Sequence, residues 1–234
     1  MLTLSNLSFQ VNHHAIIQNI SAVFPQGSFT VITGPNGGGK STLARLIMGI
    51  EQPTGGQILW EGKDITSMSI DERAKLKIGY AFQQPARFKG MSVYKLLQLA
   101  HGKELSHDAC CTYLSAVGLC ANDYLYRDVD ASLSGGEVKR IEIATLLARD
   151  LKLAIFDEPE AGIDLWSFAK LVETFQQLHQ NKDMSILLIS HQERIMQMAD
   201  EIIVLENGRI AKRGEKDAIL PDLMREFHAC AYKK

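Results

Sequence analysis

Long apolar runs are missing from this 234-residue sequence. None approaches the ~20 residues that cross a bilayer, so no direct membrane insertion is expected. The opening residues 1–10 (MLTLSNLSFQ) lack both the basic and the apolar stretch of a secretory signal. Cysteine is scarce: Cys110, Cys111, Cys120 and Cys230 form no CxxC pair and no metal-ligand spacing. That argues against a disulfide scaffold or a zinc site and fits a reducing, cytoplasmic setting. There is no excess of positive charge either. Lys plus Arg number 25 against 27 Asp plus Glu, a net charge of −2, so no nucleic-acid partner is expected through bulk charge. What is present is ordinary for a globular protein, with 46% hydrophobic and 22% charged residues, and this excludes disorder and coiled coil. A chain of this length makes one or two domains and buries a core without disulfides or metals.

The hydrophobic pattern divides the chain into three stretches. Near the start, Leu2, Leu4, Leu7, Phe9 and Val11, then Ile16, Ile20, Ala22 and Phe24, give broken alternation that reads as short strands. Phe29–Thr33 is a short buried strand, followed by a Gly-rich run and a helix from Ser41 to Gly49. Further elements are a strand at Gln57–Trp60, a helix at Asp71–Lys77 and a strand at Ile78–Phe82. From about Ser92 to Ala131 the spacing is helical (Val93, Leu96, Leu97, Ala100; then Cys111, Leu114, Val117) and no strand is expected. After Gly136, helices at 137–149, 165–179 and 192–198 alternate with strands at 153–156, 185–189, 202–205 and 209–212. Strands alternating with helices predict a mostly parallel sheet covered on both faces.

Three local patterns carry chemistry. Gly34-Pro35-Asn36-Gly37-Gly38-Gly39-Lys40-Ser41 fits GxxxxGK[ST], between a strand and a helix. The glycines let backbone N–H groups close around phosphates, and the helix adds its positive end. Lys40 would reach the β- and γ-phosphates, and Ser41 would ligate Mg²⁺. Leu153-Ala154-Ile155-Phe156 is an apolar strand ending in Asp157 and Glu158, at the end of a parallel strand where ligands bind. Asp157 would hold Mg²⁺ through water, and Glu158 would orient or deprotonate the attacking water. Leu133-Ser134-Gly135-Gly136-Glu137 precedes a helix and by itself reads as an N-cap and a turn.

Together these patterns resemble the ABC-type ATPases, and the resemblance covers essentially the whole chain. Ser134-Gly135-Gly136-Glu137 matches the signature sequence, Gln83 the Q-loop, Asp164 in Ala161-Gly162-Ile163-Asp164 the D-loop, and His191 the switch histidine. The resemblance implies an α/β fold with a P-loop NTPase core and mostly parallel sheet, an N-terminal antiparallel β-subdomain and an inserted helical subdomain. The core would comprise about 1–84 and 134–234, with 85–133 as the helical subdomain of a single ABC ATPase domain. It implies ATP as substrate with Mg²⁺, and binding residues that extend to Thr42. Glu158, His191 and Gln83 would be catalytic, with Ser41, Gln83 and Asp157 at the metal. Two copies would pair head to tail, each ATP lying between one copy's Lys40 loop and the other's Ser134-Gly135-Gly136, with Asp164 near that interface.

Finer features resemble SufC, the ATPase of iron–sulfur cluster assembly. They are Asp71-Glu72-Arg73-Ala74, the stretch Gly79–Pro85, Lys89–Val93, Glu137 where transporters have Gln, and Glu160 where they have Thr. This implies a SufB-like scaffold as partner, docking near Gln84–Val93 with Arg87, Phe88 and Met91 as contacts. The alternative is the ATP-binding subunit of a membrane ABC transporter. A DNA-repair ATPase would need a long coiled-coil insertion between Gln83 and Leu133, and a non-catalytic subunit would lack Glu158. At the position where an aromatic usually stacks on adenine stands Val11, and Phe9 on the same strand is either core or its substitute. Cys110 and Cys111 are adjacent in a predicted helix, about 100° apart, and read as ordinary thiols rather than cluster ligands.

Overall fold

The computed structural model describes residues 1–231, with side chains through residue 225. The chain opens with two long antiparallel strands, β1 (Leu2–Val11) and β2 (His14–Phe24). The expected short strands are in fact continuous, and bulges explain the broken alternation. Leu4 and Leu7 are three residues apart yet both buried, because an extra residue is accommodated where Asn6 adopts φ 49°. Ile17 and Ile20 repeat the pattern on β2 at Asn19, φ 53°.

β3 (Phe29–Thr33), buried throughout, leads through the Gly-rich loop into α1 (Lys40–Met48). β4 (Gly55–Trp60) and β5 (Lys63–Asp64) complete an antiparallel sheet ordered β2-β1-β4-β5. α2 (Ile70–Lys75) begins at a capping box of Ser69 and Glu72 and ends two residues earlier than expected, because Lys77 turns the chain at φ 66° into β6 (Ile78–Ala81). From α2, the fully buried Arg73 donates to the carbonyls of Leu46 (2.7 Å) and Ile47 (2.8 Å) in the last turn of α1. The phosphate-loop helix is thus anchored at its far end.

The middle stretch holds β7 (Phe88–Ser92), α3 (Val93–His101), α4 (His107–Ala116), α5 (Ala121–Tyr124) and β8 (Asp128–Val129). The expectation of no strand here is corrected, since β7 and β8 pair antiparallel, Phe88 opposite Val129. A two-residue strand with one apolar side chain leaves no periodic signal.

α6 (Gly135–Leu147), β9 (Leu153–Asp157), α7 (Leu165–Gln180), β10 (Ser185–Ile189), α8 (Glu193–Met196) and β11 (Glu201–Glu206) restore the βα rhythm. β12 (Arg209–Glu215) runs past the expected end at Lys212 and continues into α9 (Lys216–Ala231), which the sequence reading did not assign. Cys230 lies outside the residues with described side chains. The central sheet is ordered β12-β11-β3-β10-β9-β6, parallel except at β12. Its strands face two cores. Val31, Phe156, Leu188 and Val204 pack toward α6 and α7, while Ile32, Ile155, Leu187 and Ile203 pack toward α1 and the antiparallel sheet. Burial on both faces is why these strands read as unbroken apolar runs.

Candidate active site

The phosphate loop leaves β3 at Gly34 (φ 129°), where a Cβ would stand 2.2 Å from the Leu205 carbonyl oxygen. Gly38 is equally confined, with a Cβ 2.6 Å from the same oxygen, so the neighbouring strand β11 demands both glycines. Gly39 caps α1 with no side-chain hydrogen bond, leaving the first N–H groups of the helix for a ligand. Pro35, Asn36 and Gly37 form the exposed crest of the loop. Lys40 is 5% exposed, and its Nζ donates to the carbonyls of Gly34 (2.8 Å) and Pro35 (3.0 Å). Burial lowers its pKa, opposed by the charges of Glu158 and Asp157.

Opposite the loop, β9 delivers its two acids. Asp157 is fully buried, and one carboxylate oxygen accepts from Ser41 Oγ at 3.0 Å. The other accepts from Tyr80 Oη at 2.7 Å. Tyr80, on β6, is held neutral far above its ordinary range, first by burial and then by the Asp157 charge. Glu158 turns off the strand at φ 46°, with its N–H bound to the Ile189 carbonyl at 3.0 Å. Gln83 Nε2 donates to Glu158 Oε2 at 2.7 Å. His191 Nε2 lies 3.9 Å from Glu158 Oε1, too far for a hydrogen bond, and is buried without a partner. Its pKa is lowered by burial and by Lys40, against the pull of Glu158. Asn36, Gly37, Gly39, Lys40, Ser41, Thr42, Gln83 and Glu158 line one cavity of about 440 Å³, with Ile16 at its edge.

Ser134, Gly135, Gly136, Glu137 and Asp164 do not line that cavity. Ser134 caps α6 by accepting from the Glu137 N–H at 3.2 Å, and Glu137 returns the bond to the Ser134 N–H at 2.6 Å. Glu137 also accepts from Tyr124 Oη, which with the cap bonds holds its pKa down at about 2. Its carboxylate is therefore committed to shaping the loop. Asp164 caps α7, accepting from the N–H groups of Trp166 and Ser167, each at 3.0 Å, and the Ser167 hydroxyl is the main reason its pKa is lowered. Gly136 packs so closely on the loop before α7 that a Cβ would stand 2.6 Å from the Gly162 carbonyl oxygen.

Sequence reasoning missed Tyr80, Lys139 and Glu142. Lys139 is 1% exposed, and its Nζ donates to the carbonyls of Phe82, Gln83 (3.0 Å) and Asp157 (3.2 Å). Glu142, three residues on, accepts from the Phe82 N–H at 3.0 Å. Burial pushes its pKa up to about 7. From α6, these two side chains clamp the peptide that carries Gln83. Charged residues on a helix normally read as its solvent face, so nothing in the sequence pointed inward.

Other expectations divide. Phe9 is 8% exposed within the core below α1, so it is a packing residue and no adenine platform, while Val11 is 44% exposed. Arg87 donates to the Asp130 and Leu133 carbonyls, tying the Q-loop segment to the end of the helical stretch instead of offering a free contact. Phe88 is exposed on a groove of about 620 Å³ that it lines with Phe82, Leu96, Leu99, Val129 and Glu142. Cys110 is buried on α4, Cys111 is half-buried and Cys120 is exposed.

Residues 17–161 match the family described as ABC transporter. Over 242 aligned positions the chain is 36% identical to an uncharacterized ABC transporter ATP-binding protein of Methanocaldococcus jannaschii, covering all of this chain and 96% of the relative. It is 34% identical to a probable ATP-dependent transporter of Cyanophora paradoxa, covering 92% and 88%. Its fold matches a dimeric ATP-binding cassette bound to ADP and Pi in a post-hydrolysis state, with TM-score 0.83 and 22% identity over 92% of this chain and 99% of that one. These relatives bear transporter names, which favours the transport reading over cluster assembly.

Proposed function

Because the chain belongs to the ABC transporter family, whose members hydrolyse ATP, we propose that it is the ATP-binding subunit of a membrane transporter and works by ATP-dependent pairing of two copies. One observation carries this reading. The phosphate loop, Gln83 and Glu158 line one cavity, with Asp157 bonded to Ser41 and His191 3.9 Å from Glu158, while the Ser134-Gly135-Gly136 loop does not line it. On this reading one chain would supply the hydrolytic half of a site and a separate surface that completes another.

ATP phosphates would enter the cavity against the free N–H groups of α1, and Lys40 would exchange its two loop carbonyls for phosphate oxygens. Ser41 and Asp157 present oxygen donors 3.0 Å apart, a set that suits a hard cation such as Mg²⁺. That ion would neutralise phosphate charge when bound. Among the described residues Glu158 is the one carboxylate lining the cavity, and it would accept a proton from the attacking water. Gln83 Nε2 donates to its Oε2, so proton acceptance at that oxygen would require this bond to yield. His191, held neutral, has an unpartnered Nε2 available to the γ-phosphate. The groove beside Gln83 is apolar and open, which suits a docking segment of the transporter on the cytoplasmic side.

A second reading, an iron–sulfur assembly ATPase bound to a SufB-like scaffold, keeps one observation in its favour. The two acids that resemble that family are both built in. Glu137 is in the α6 cap, and Glu160 is half-buried with its carboxylate accepting from Ser190 Oγ at 2.5 Å. Gentle anaerobic isolation of the tagged chain from its own cells separates the two. Co-purification of a polytopic membrane protein supports transport. A soluble scaffold carrying iron and sulfide overturns it in favour of assembly.

A further inference from the structure

We propose that Glu160 is a positioning residue that, through Ser190, holds the turn from which His191 meets the γ-phosphate. The inference rests on the role proposed above for His191. The loop after β9 sends its two glutamates different ways. Glu158 lines the phosphate cavity, whereas Glu160, two residues on, reaches the end of the neighbouring strand β10. A tight turn sets that divergence, in which the Ala161 N–H donates to the Glu158 carbonyl and the Ile163 N–H to the Glu160 carbonyl, each at 3.1 Å.

Ser190 is fully buried, and its backbone N–H donates to the Ile32 carbonyl at 3.2 Å. Its hydroxyl donates to Glu160 Oε1 at 2.5 Å and accepts from the Gln192 N–H at 3.0 Å. Because Glu160 takes the single hydroxyl proton, the oxygen's lone pairs stay turned toward Gln192. The residues on both sides of His191 are thereby tied to one carboxyl group. His191 Nε2 itself has no partner, so the turn at 190–192 sets where the imidazole stands. Glu160 Oε2 is also buried without a partner, a cost that capping Gln192 would not demand, since the Ser190 hydroxyl can do that alone. Burial raises the Glu160 pKa, with the Ser190 hydroxyl opposing and the Glu158 charge adding, which makes Gln its nearest neutral replacement.

The test uses the full chain and two readouts. By imidazole NMR, Glu160→Ala should move the His191 pKa up, back toward the ordinary 6.5, as the ring gains solvent, while exposed His13 titrates as before. Lys40 and Glu158, the charged groups facing the ring, stay in place, and loss of a negative charge at 160 would by itself move the pKa down. In steady-state ATP hydrolysis, Glu160→Ala should lower kcat at least about fivefold with KM for ATP within about twofold, and Glu160→Gln should recover most of the loss. In a His191→Ala background the same change should alter kcat by less than about twofold, because Glu160 acts through His191. Ser190→Ala should reproduce both effects and replaces Glu160→Ala if that variant does not fold. An unshifted His191 titration in these variants overturns the proposal, as does a kcat loss of equal size with and without His191. His191→Ala alone with parental kcat overturns the γ-phosphate role and the inference with it, a failure told apart because Glu160 is then intact.

Discussion

Tyr80→Phe tests whether the buried carboxylate at the centre of the site is held by its neighbours as the geometry indicates. The substitution removes one oxygen and keeps the ring, including its edge-on contact with Phe82 at 4.8 Å. Asp157 then loses the 2.7 Å hydrogen bond to Oδ2 and keeps the 3.0 Å bond from Ser41 to Oδ1. A hydrogen bond to a charged group is worth about 1.5–3 kcal/mol, and the orphaned oxygen lies in a fully buried side chain. For a domain of this size each kcal/mol moves the melting temperature by about 2–4 °C, so a drop of roughly 3–12 °C is expected without nucleotide. A second effect should accompany it. Asp157 no longer has its carboxylate plane fixed by β6, so stabilisation by Mg²⁺ and ATP together should shrink, while that by ATP without Mg²⁺ should not. Thermal unfolding of both proteins, with and without ligands, measures the two effects. A variant melting within about 1 °C of the parent, with undiminished Mg²⁺-dependent stabilisation, would refute the assignment of Tyr80 as the residue that orients Asp157.

Glu158→Gln should lower kcat by about 10²- to 10⁴-fold, leave ATP affinity within a few-fold and accumulate an ATP-bound dimer. Parental turnover by a protein that stays monomeric would contradict the role given to Glu158. Lys40→Ala removes the only cation among the described residues that line the phosphate cavity and should weaken ATP binding at least about tenfold, read by titration. Unchanged affinity would take Lys40 out of that role. Glu142 predicts a pH dependence. Its folded pKa is raised from 4.5 to about 7, so between these values the folded state binds the proton that the unfolded state has released. Its contribution to stability therefore falls as pH rises from 4.5 to 7 and stays low above that. Glu142→Gln should flatten this slope and gain on the order of 2 kcal/mol relative to the parent above pH 7, measured by denaturant unfolding across pH. A parent and variant whose stabilities run parallel with pH would show that Glu142 ionises freely in the fold.

The phosphate loop, the acidic end of β9 and the capping sequence at Ser134 were legible because each is a local instruction. Gly34 must take a positive φ, Ser134 and Glu137 must sit three residues apart to cap a helix, and Leu153–Phe156 must be apolar to lie between two cores. The parallel sheet followed from the same kind of signal, repeated. Other features depended on residues brought together from far along the chain. The β7–β8 pair joins residues some forty positions apart, and the bulges at Asn6 and Asn19 move Leu7 and Ile20 to the inner face. Tyr80 meets Asp157, Lys139 meets the Gln83 carbonyl, and Gln83 closes on Glu158, each across a long sequence separation. No periodicity encodes such meetings, because a helix or strand pattern states which face is apolar and not what that face will touch. The sequence by itself determined which groups stand on the loop after β3 and at the end of β9, the groups proposed to bind and cleave a phosphate anhydride. Only the packing of α6 against β6 and β9 decided which side chains hold those groups in place, since a buried charge is tolerated only where the fold supplies its partners.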